Sequence, residues 1–150
     1  MTRPSSPDQA FLDDLLAKIP YAAFLGVRFE TAGDEMTAIL PFSPPLIGNP
    51  LLPALHGGVT GALMELTAMA QLALVERRSR LPKPIDVNVE YLRSGKPLTT
   101  FARAHIAKAG KRVANVRVEA WQETRSSPIA AYHAHFLLGE SGPEQGSTDG

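Results

Sequence analysis

The chain has 150 residues, of which 44% are hydrophobic and 20% are charged. This size and composition suit a single globular domain and exclude an intrinsically disordered chain. There is no cysteine, which excludes disulfides, a thiolate nucleophile and cysteine metal ligands. The first residues lack the apolar segment of a signal peptide, so the expected location is the cytoplasm.

The formal net charge is zero, but the charges are unevenly spread. Residues 77–125 hold twelve Lys and Arg against four Asp and Glu, whereas the rest of the chain holds three against eleven. A basic half on a neutral chain predicts a polyanionic partner. The alternative is that the acidic parts of the fold neutralise this half.

Three regions are expected along the chain: a disordered N-terminus (1–9), one domain (10–139) and a polar, glycine-rich disordered tail (140–150). DQAFLDDLLAKIP has apolar residues at helical spacing, which predicts a helix with Asp8 as its N-cap and Pro20 at its end.

Two strands and a proline-rich loop are predicted next. FLGVRFETAGDEMTAILPF alternates apolar and polar residues on both sides of the turn AGDE, which is typical of a pair of strands. SPPLIGNPLLP has four prolines in eleven residues, so we expect a loop that lies outside any sheet interior.

The segment HGGVTGALMELTAMAQLALV (56–75) predicts a long helix that runs on to about Arg78. It is apolar nearly all round, so it is expected to be buried. A membrane span is the competing interpretation because of its length. Glu65 at the centre, Gln71 near it and the strands elsewhere in the chain argue against that interpretation.

Four further strands are predicted from alternating polarity in PIDVNVEYL, LTTFARAHIAKAG, RVANVRVEAWQE and PIAAYHAHFLL. The breaks between them, RSGKP, AGK and TRSSP, are as short as hairpin turns. Two of these strands have clear one-sided apolar faces, formed by Val116, Val118 and Ala120 and by Tyr132, Ala134 and Phe136. The predicted fold class is therefore α+β, with a curved antiparallel sheet of about six strands around one long buried helix.

Glu65 is the one charge in the apolar helix, and a buried carboxylate is costly unless it is paired or used. Two roles are open for Glu65. In the structural one it pairs with an arginine or caps a neighbouring element, and in the other it takes part in catalysis. Two glycines at the helix start, Gly57 and Gly58, leave N–H groups at the positive end of the helix dipole, where an oxyanion is stabilised. Together these groups suffice for acyl transfer to water.

The spacing of these groups raises a difficulty, since Glu65 lies about 12 Å of helix beyond Gly57. That separation is too long for both groups to meet one small reacting centre on a single straight helix. Two copies of the helix, side by side in a dimer, would resolve it, with each site taking its donor from one chain and its carboxylate from the other.

Other motifs point less clearly to chemistry. No G-x-S-x-G elbow or glycine-rich phosphate loop occurs. His133 and His135 share a strand face that suits a metal, but no third ligand is near, so we expect no metal. The segment KAGKR (108–112) either holds a phosphate at a hairpin turn or is an ordinary charged turn.

The segment HGGVTGALMELTAMA resembles the helix motif of the hotdog-fold acyl-CoA thioesterases, in the group named for the phenylacetate-degradation thioesterase. That motif is HGG, a short apolar run, and Asp or Glu nine residues after the histidine. DVNVEYLRSG, KAGKRVANVRVEAW and IAAYHAHFLL resemble the strands that follow in the same family. The resemblance extends from about Ala10 to Leu138.

The resemblance implies a hydrolase that cleaves acyl-CoA or aryl-CoA to the free acid and CoA. Its sites would lie at the interface of a homodimer, with dimers usually paired into homotetramers. No cofactor is implied, because CoA is part of the substrate, and no nucleic-acid or membrane partner is expected. An aryl or medium aliphatic acyl group is suggested by fold-level analogy alone.

The resemblance also implies a role for each matching residue. Glu65 would be the base or nucleophile, the Gly57 N–H would polarise the thioester carbonyl, and His56 and Asn49 would position the thioester or the water. The expected substrate-binding residues are Gly58, Tyr91, Arg93, Lys108, Gly110, Lys111 and Arg112.

Two positions depart from the family pattern. Asn49 stands seven residues before His56 rather than six, with no glycine between them. Pro84 occupies a position where the family often has a serine or threonine that faces the site, and proline cannot donate a hydrogen bond.

Two other functions remain open from the sequence. One is a module that binds acyl-CoA without turnover, although a binder gains nothing from a buried acid beside an anionic ligand. The other is a hotdog hydratase, whose loop motif Asp-x-Asn-Pro-x-His is matched poorly because Ile47 replaces the aspartate.

Overall fold

The computed structural model describes residues 7–32, 35–77 and 81–139. Three α-helices are present in these ranges: α1 (Pro7–Ala17), α2 (Pro20–Leu25) and α3 (Gly57–Glu76). The strands are β1 (Arg28–Ala32), β2 (Glu35–Leu40), β3 (Ile47–Asn49), β4 (Ala54–Leu55), β5 (Lys83–Tyr91), β6 (Thr100–Ala109), β7 (Val113–Trp121) and β8 (Ala130–Leu137).

Six of the described strands form one antiparallel sheet, in the order β1-β2-β6-β7-β8-β5. The helix α3 packs across one face of this sheet, and its buried side chains join those of the strands in a single core. The predicted arrangement of a long helix against a six-stranded antiparallel sheet is confirmed.

The helix α3 forms because it is rich in Ala, Leu and Met, and because its apolar side chains meet the sheet. It begins with His56 as N-cap and ends at Arg77, which adopts the left-handed conformation at φ 50°. By length and composition α3 is apolar enough to cross a membrane, yet 56% of its most apolar window is buried inside this fold.

The strands β7 and β8 have apolar faces toward α3, as predicted. Val116, Val118 and Ala120 are buried on one strand, and Tyr132, Ala134 and Phe136 on the other. Alternate residues on these strands form the polar outer face of the sheet. A one-sided core therefore holds α3 in a fixed position over the strands.

The strand β5 lies at the edge of the sheet, with β8 as its one described neighbour. The prediction that RSGKP is a hairpin turn is wrong, because β8 and β7 lie between β5 and β6 and the segment crosses the end of the sheet instead. The predicted alternation of β5 leaves most of the strand exposed, because no element of the described chain covers its free edge. Ile85 and Val87 are 56% and 46% exposed. Lys83 and Pro84 stand at its start, where the pairing with β8 is interrupted by a register shift.

The structure corrects the predictions near the N-terminus. Asp8 is not an N-cap: α1 already begins at Pro7, and the Asp8 carboxylate pairs with Arg77. Residues 7–9, which were expected to belong to a disordered N-terminus, are therefore helical. Residues 1–6 and 140–150 lie outside the described residues. Pro20 begins the unpredicted helix α2, because proline fits the first helical turn.

Two further differences concern residues 24–53. The strand predicted from Phe24 begins only at Arg28, after Gly26 ends α2 with φ 79°. The proline-rich loop stays outside the main sheet, as expected, but its two ends pair as the small antiparallel sheet β3-β4. Part of the predicted AGDE turn, residues 33–34, lies outside the described residues.

Candidate active site

The start of α3 leaves one backbone N–H without an acceptor. The Val59 and Thr60 N–H groups donate to the His56 carbonyl oxygen at 3.0 and 3.3 Å. The Gly58 N–H donates to His56 Nδ1 at 2.9 Å. Within the described ranges, nothing accepts from the Gly57 N–H. A free N–H at the positive end of a helix dipole attracts an anion or a polarised carbonyl oxygen.

Tyr91, the last residue of β5, closes against this helix start. Its hydroxyl donates to the Gly57 carbonyl oxygen at 2.8 Å. A Cβ at position 57 would lie only 3.2 Å from the Tyr91 ring, so the close approach favours glycine there. The Tyr91 hydroxyl, predicted to bind substrate, is therefore used to hold the helix start in place.

A cavity of about 350 Å³ lies beside Gly57. Its lining mixes apolar side chains with the exposed backbone of the loop that follows β5: Ala54, Leu55, Gly57, Thr60, Tyr91, Leu92, Arg93, Ser94, Gly95, Ile129 and Ala130. A cavity of this size next to the Gly57 N–H suits the carbonyl end of an acyl group.

His56 is positioned from two sides. Its Nδ1 accepts from Gly58, so the neutral ring carries its proton on Nε2. Its backbone N–H donates to the Leu46 carbonyl oxygen at 2.9 Å. A Cβ at Gly48 would lie 2.6 Å from His56 Cα, so only glycine allows β3 to pack against this residue.

Asn49 and Arg93 have local contacts in the loops near the cavity. The Asn49 side-chain oxygen accepts from the Leu51 N–H at 3.0 Å, which closes the turn after β3. Arg93 Nη1 donates to the Pro128 carbonyl oxygen at 2.8 Å. Both side chains are exposed, and their predicted contacts with substrate stay predictions.

Glu65 lies eight residues after Gly57, about 12 Å along α3. It is half-buried, and burial raises the pKa of its carboxyl above the usual 4.5. Among the described residues, no side chain or N–H bonds to Glu65, so it neither pairs with an arginine nor caps another element there. A carboxylate of raised pKa is a better base at neutral pH.

Residues 110–112 form a turn between β6 and β7, as predicted for this segment, with the Gly110 N–H donating to the Val113 carbonyl oxygen at 2.9 Å. Lys108 stands at the end of β6, and its side chain lies outside the described part of the structure. Lys111 and Arg112 are exposed in the turn. This turn lies at the opposite end of the sheet from Gly57, about 30 Å away along the ten residues of β6. One chain therefore does not bring Gly57 and the basic turn to the same ligand.

His133 and His135 share the outer face of β8, as predicted, and each has a partner. His133 Nε2 contacts the Asn115 side-chain oxygen, and His135 Nδ1 lies 2.8 Å from Asp86 Oδ1. The hydrogen bond from His135 lowers the pKa of the Asp86 carboxyl. Within the described ranges, no group of three His, Asp or Glu side chains is placed to hold a metal ion.

Two residues near the site were missed from the sequence. Gly48 supports His56, but its segment was predicted to be a loop, so the sequence held no signal for the close approach of β3 to His56. Tyr132 was assigned to the core by alternation, but its hydroxyl is buried without a partner in the described chain. A tyrosine at an inward position, which needs a partner for its hydroxyl, was the available signal.

The sequence matches the family model described as the thioesterase superfamily over residues 52–129. A curated relative, the medium/long-chain acyl-CoA thioesterase YigI of Escherichia coli, is 31% identical over 136 residues, covering 81% of this chain and 86% of the relative. The range matched by the family model, residues 52–129, begins just before α3 and extends to the start of β8.

Solved structures show the same fold. A protein from Chromobacterium violaceum is 38% identical and covers 90% of this chain and 94% of its own, with a TM-score of 0.72. A phenylacetic acid degradation-related protein from Ralstonia eutropha, 17% identical, has a TM-score of 0.73 over 85% of this chain and 99% of its own. The chain therefore has the hotdog fold and belongs to the thioesterase superfamily of hydrolases.

Proposed function

We propose that this protein is an acyl-CoA thioesterase whose active sites are each shared by two copies of the chain. The observation that carries the proposal is the pair of groups on α3, the Gly57 N–H and the half-buried Glu65, neither of which has a hydrogen-bond or ion-pair partner among the described residues. They supply the two elements of thioester hydrolysis but stand about 12 Å apart. The activity for which the Escherichia coli relative is named supports the substrate class.

The exposed edge of β5 supports the sharing of sites. A second β5 added antiparallel about a two-fold axis would cover Ile85 and Val87 and extend the sheet across both chains. Antiparallel addition brings the Tyr91 end of one β5 to the Lys83 end of the other. The helix start of one chain would then lie at the end of the sheet where the other chain has its 108–112 turn.

In this arrangement each site takes Gly57 from one chain and Glu65, with the basic turn, from the other. The Gly57 N–H polarises the thioester carbonyl and stabilises the oxyanion that forms on it. Glu65 acts as the general base that takes a proton from the attacking water. Lys111 and Arg112 bind the phosphates of CoA at the mouth of the site.

The other predicted residues shape the site. His56 caps α3 and thereby leaves only the Gly57 N–H for the substrate, while Tyr91 fixes the position of Gly57. We assign Asn49 and Arg93 to the loops that border the site, and the exposed Gly58 backbone to the surface that contacts the substrate. The acyl group is proposed to be a medium or long chain, by analogy with the Escherichia coli relative, which is named as a medium/long-chain acyl-CoA thioesterase.

The activity is tested by release of free thiol from acyl-CoA substrates of increasing chain length. We expect steady turnover, with kcat/KM highest for one range of chain lengths. If no acyl-CoA or aryl-CoA releases thiol above the uncatalysed rate, the proposed function is wrong.

The sharing of sites is tested by mixing two inactive chains. Gly57→Pro removes the N–H donor, and Glu65→Gln removes the base. In random co-assembly about half of the dimers hold one chain of each kind, and one of their two sites is intact. The shared-site model therefore predicts recovery of about a quarter of the wild-type activity, whereas sites contained in one chain would recover none.

A further inference from the structure

Tyr132 carries a buried hydroxyl that the fold does not use. Its side chain is 3% exposed on the face of β8 that packs toward α3. In residues 7–32, 35–77 and 81–139, no donor or acceptor pairs with this hydroxyl. A buried polar group without a partner is destabilising, so its retention calls for a functional explanation.

The register of the strands and the spacing along α3 place Tyr132 at about the same level of the fold as Glu65. Gly61, one helical turn before Glu65, lies over Tyr91, since a Cβ there would be 3.8 Å from the Tyr91 hydroxyl. Four residues along α3 advance about 6 Å, and two residues along a strand advance about 7 Å. Tyr132 pairs with Val89, two residues before Tyr91, so it lies at the level of Glu65.

The electrostatics of the two groups agree with this placement. Burial, and next the charge of Glu65, raise the pKa of the Tyr132 hydroxyl well above its usual range. It therefore stays protonated at neutral pH and acts as a hydrogen-bond donor. No other neighbour on the inner faces of β5 and β8 offers an O–H at this level, since Val89 and Ala134 flank it there.

We propose that Tyr132 is a further catalytic residue, whose hydroxyl donates a hydrogen bond to the water molecule that Glu65 activates. The inference rests on the proposed thioesterase function. The water loses a proton to Glu65 and its oxygen bonds to the thioester carbon. The C–S bond then breaks with its electron pair on sulfur, which takes the proton back from Glu65, and Tyr132 keeps its own proton throughout.

Tyr132→Phe tests the proposal, because it removes one oxygen and keeps the ring in the core. We expect kcat to fall by roughly tenfold or more, with KM changed by less than about twofold, since the hydrogen bond orients the water and not the substrate. The melting temperature should hold or rise, because an unpaired buried hydroxyl is lost. Tyr21→Phe, the same change at a half-exposed ring on α2, is the control and should leave both parameters unchanged.

A double variant separates a catalytic role from a packing role. If Tyr132 acts on the water that Glu65 deprotonates, Tyr132→Phe should cause little further loss in a Glu65→Gln chain. A wild-type kcat in Tyr132→Phe would overturn the inference while leaving the proposed function intact. Equal fractional losses in the wild-type and Glu65→Gln backgrounds would also overturn it. An inactive wild-type protein would instead overturn the proposed function.

Discussion

Replacement of Glu65 by glutamine isolates the chemical role of the carboxylate. The amide has nearly the same shape, so the half-buried position on α3 stays filled, but it cannot accept a proton. Loss of a general base costs roughly 10²–10⁴ in rate, so kcat should fall by at least about a hundredfold. KM should change little, because the remote contacts with CoA are retained. Thiol release under saturating acyl-CoA measures the effect, with Glu30→Gln at an exposed position of β1 as the control.

The same variant makes a prediction about stability. The fold raises the pKa of Glu65, so the native chain holds this proton more tightly than the unfolded chain does. The cost of burying the charge is therefore present above the folded pKa and disappears below about 4.5. Glu65→Gln should melt at a higher temperature than the wild type at neutral pH, and the difference should vanish as the pH falls below that value.

A particular pair of results would refute this reasoning. If Glu65→Gln keeps its activity and melts at a lower temperature at neutral pH, Glu65 is a structural ion-pair partner in the assembled protein. The acid limb of kcat/KM gives an independent check. Activity should fall as the pH drops through the raised pKa of Glu65, hence at a pH above 4.5.

Three further variants probe the rest of the site. Gly57→Pro removes the N–H but suits the first helical position, so kcat should fall about 10²–10³-fold. Gly57→Ala is its control, because it keeps the N–H and adds a similar crowding atom. Equal losses of kcat in the two variants would exclude the donor role of the Gly57 N–H. Lys111→Ala with Arg112→Ala should raise KM with little change in kcat, and less so at high salt; an unchanged KM would place the phosphate site elsewhere. Val87→Lys should weaken dimers and activity together, measured by sedimentation and thiol release, and an active monomer would exclude shared sites.

The main architecture was predictable because its signals are local. The composition of α3 and the alternation of residues such as Val116 and Val118 each require only a short window of sequence. The helix α2 was not predictable in the same way, since Pro20 suits either the end or the beginning of a helix. The β3-β4 pairing joins Ile47 to Leu55 across a proline-rich turn, and local preference alone does not indicate it.

In the candidate site, too, the features that depend on local sequence were predictable and those that depend on strand pairing were not. The positions of Gly57 and Glu65 on one helix, and their separation, follow from the spacing in the sequence. The relation of Tyr132 to Glu65 does not, because it depends on which strand pairs with β5 and in which register. The distance between the 108–112 turn and Gly57 likewise depends on the strand order, which only the folded sheet reveals.

Pro84 at the start of β5 has a consequence for how the protein avoids aggregation. A long exposed strand edge is a template on which any extended chain can grow. Proline has no N–H to offer a neighbouring strand, and Lys83 beside it adds a charge that opposes stacking. An incoming strand can therefore be bonded only along the later part of β5. This limits growth to one well-registered neighbour and discourages fibril formation by newly made chains.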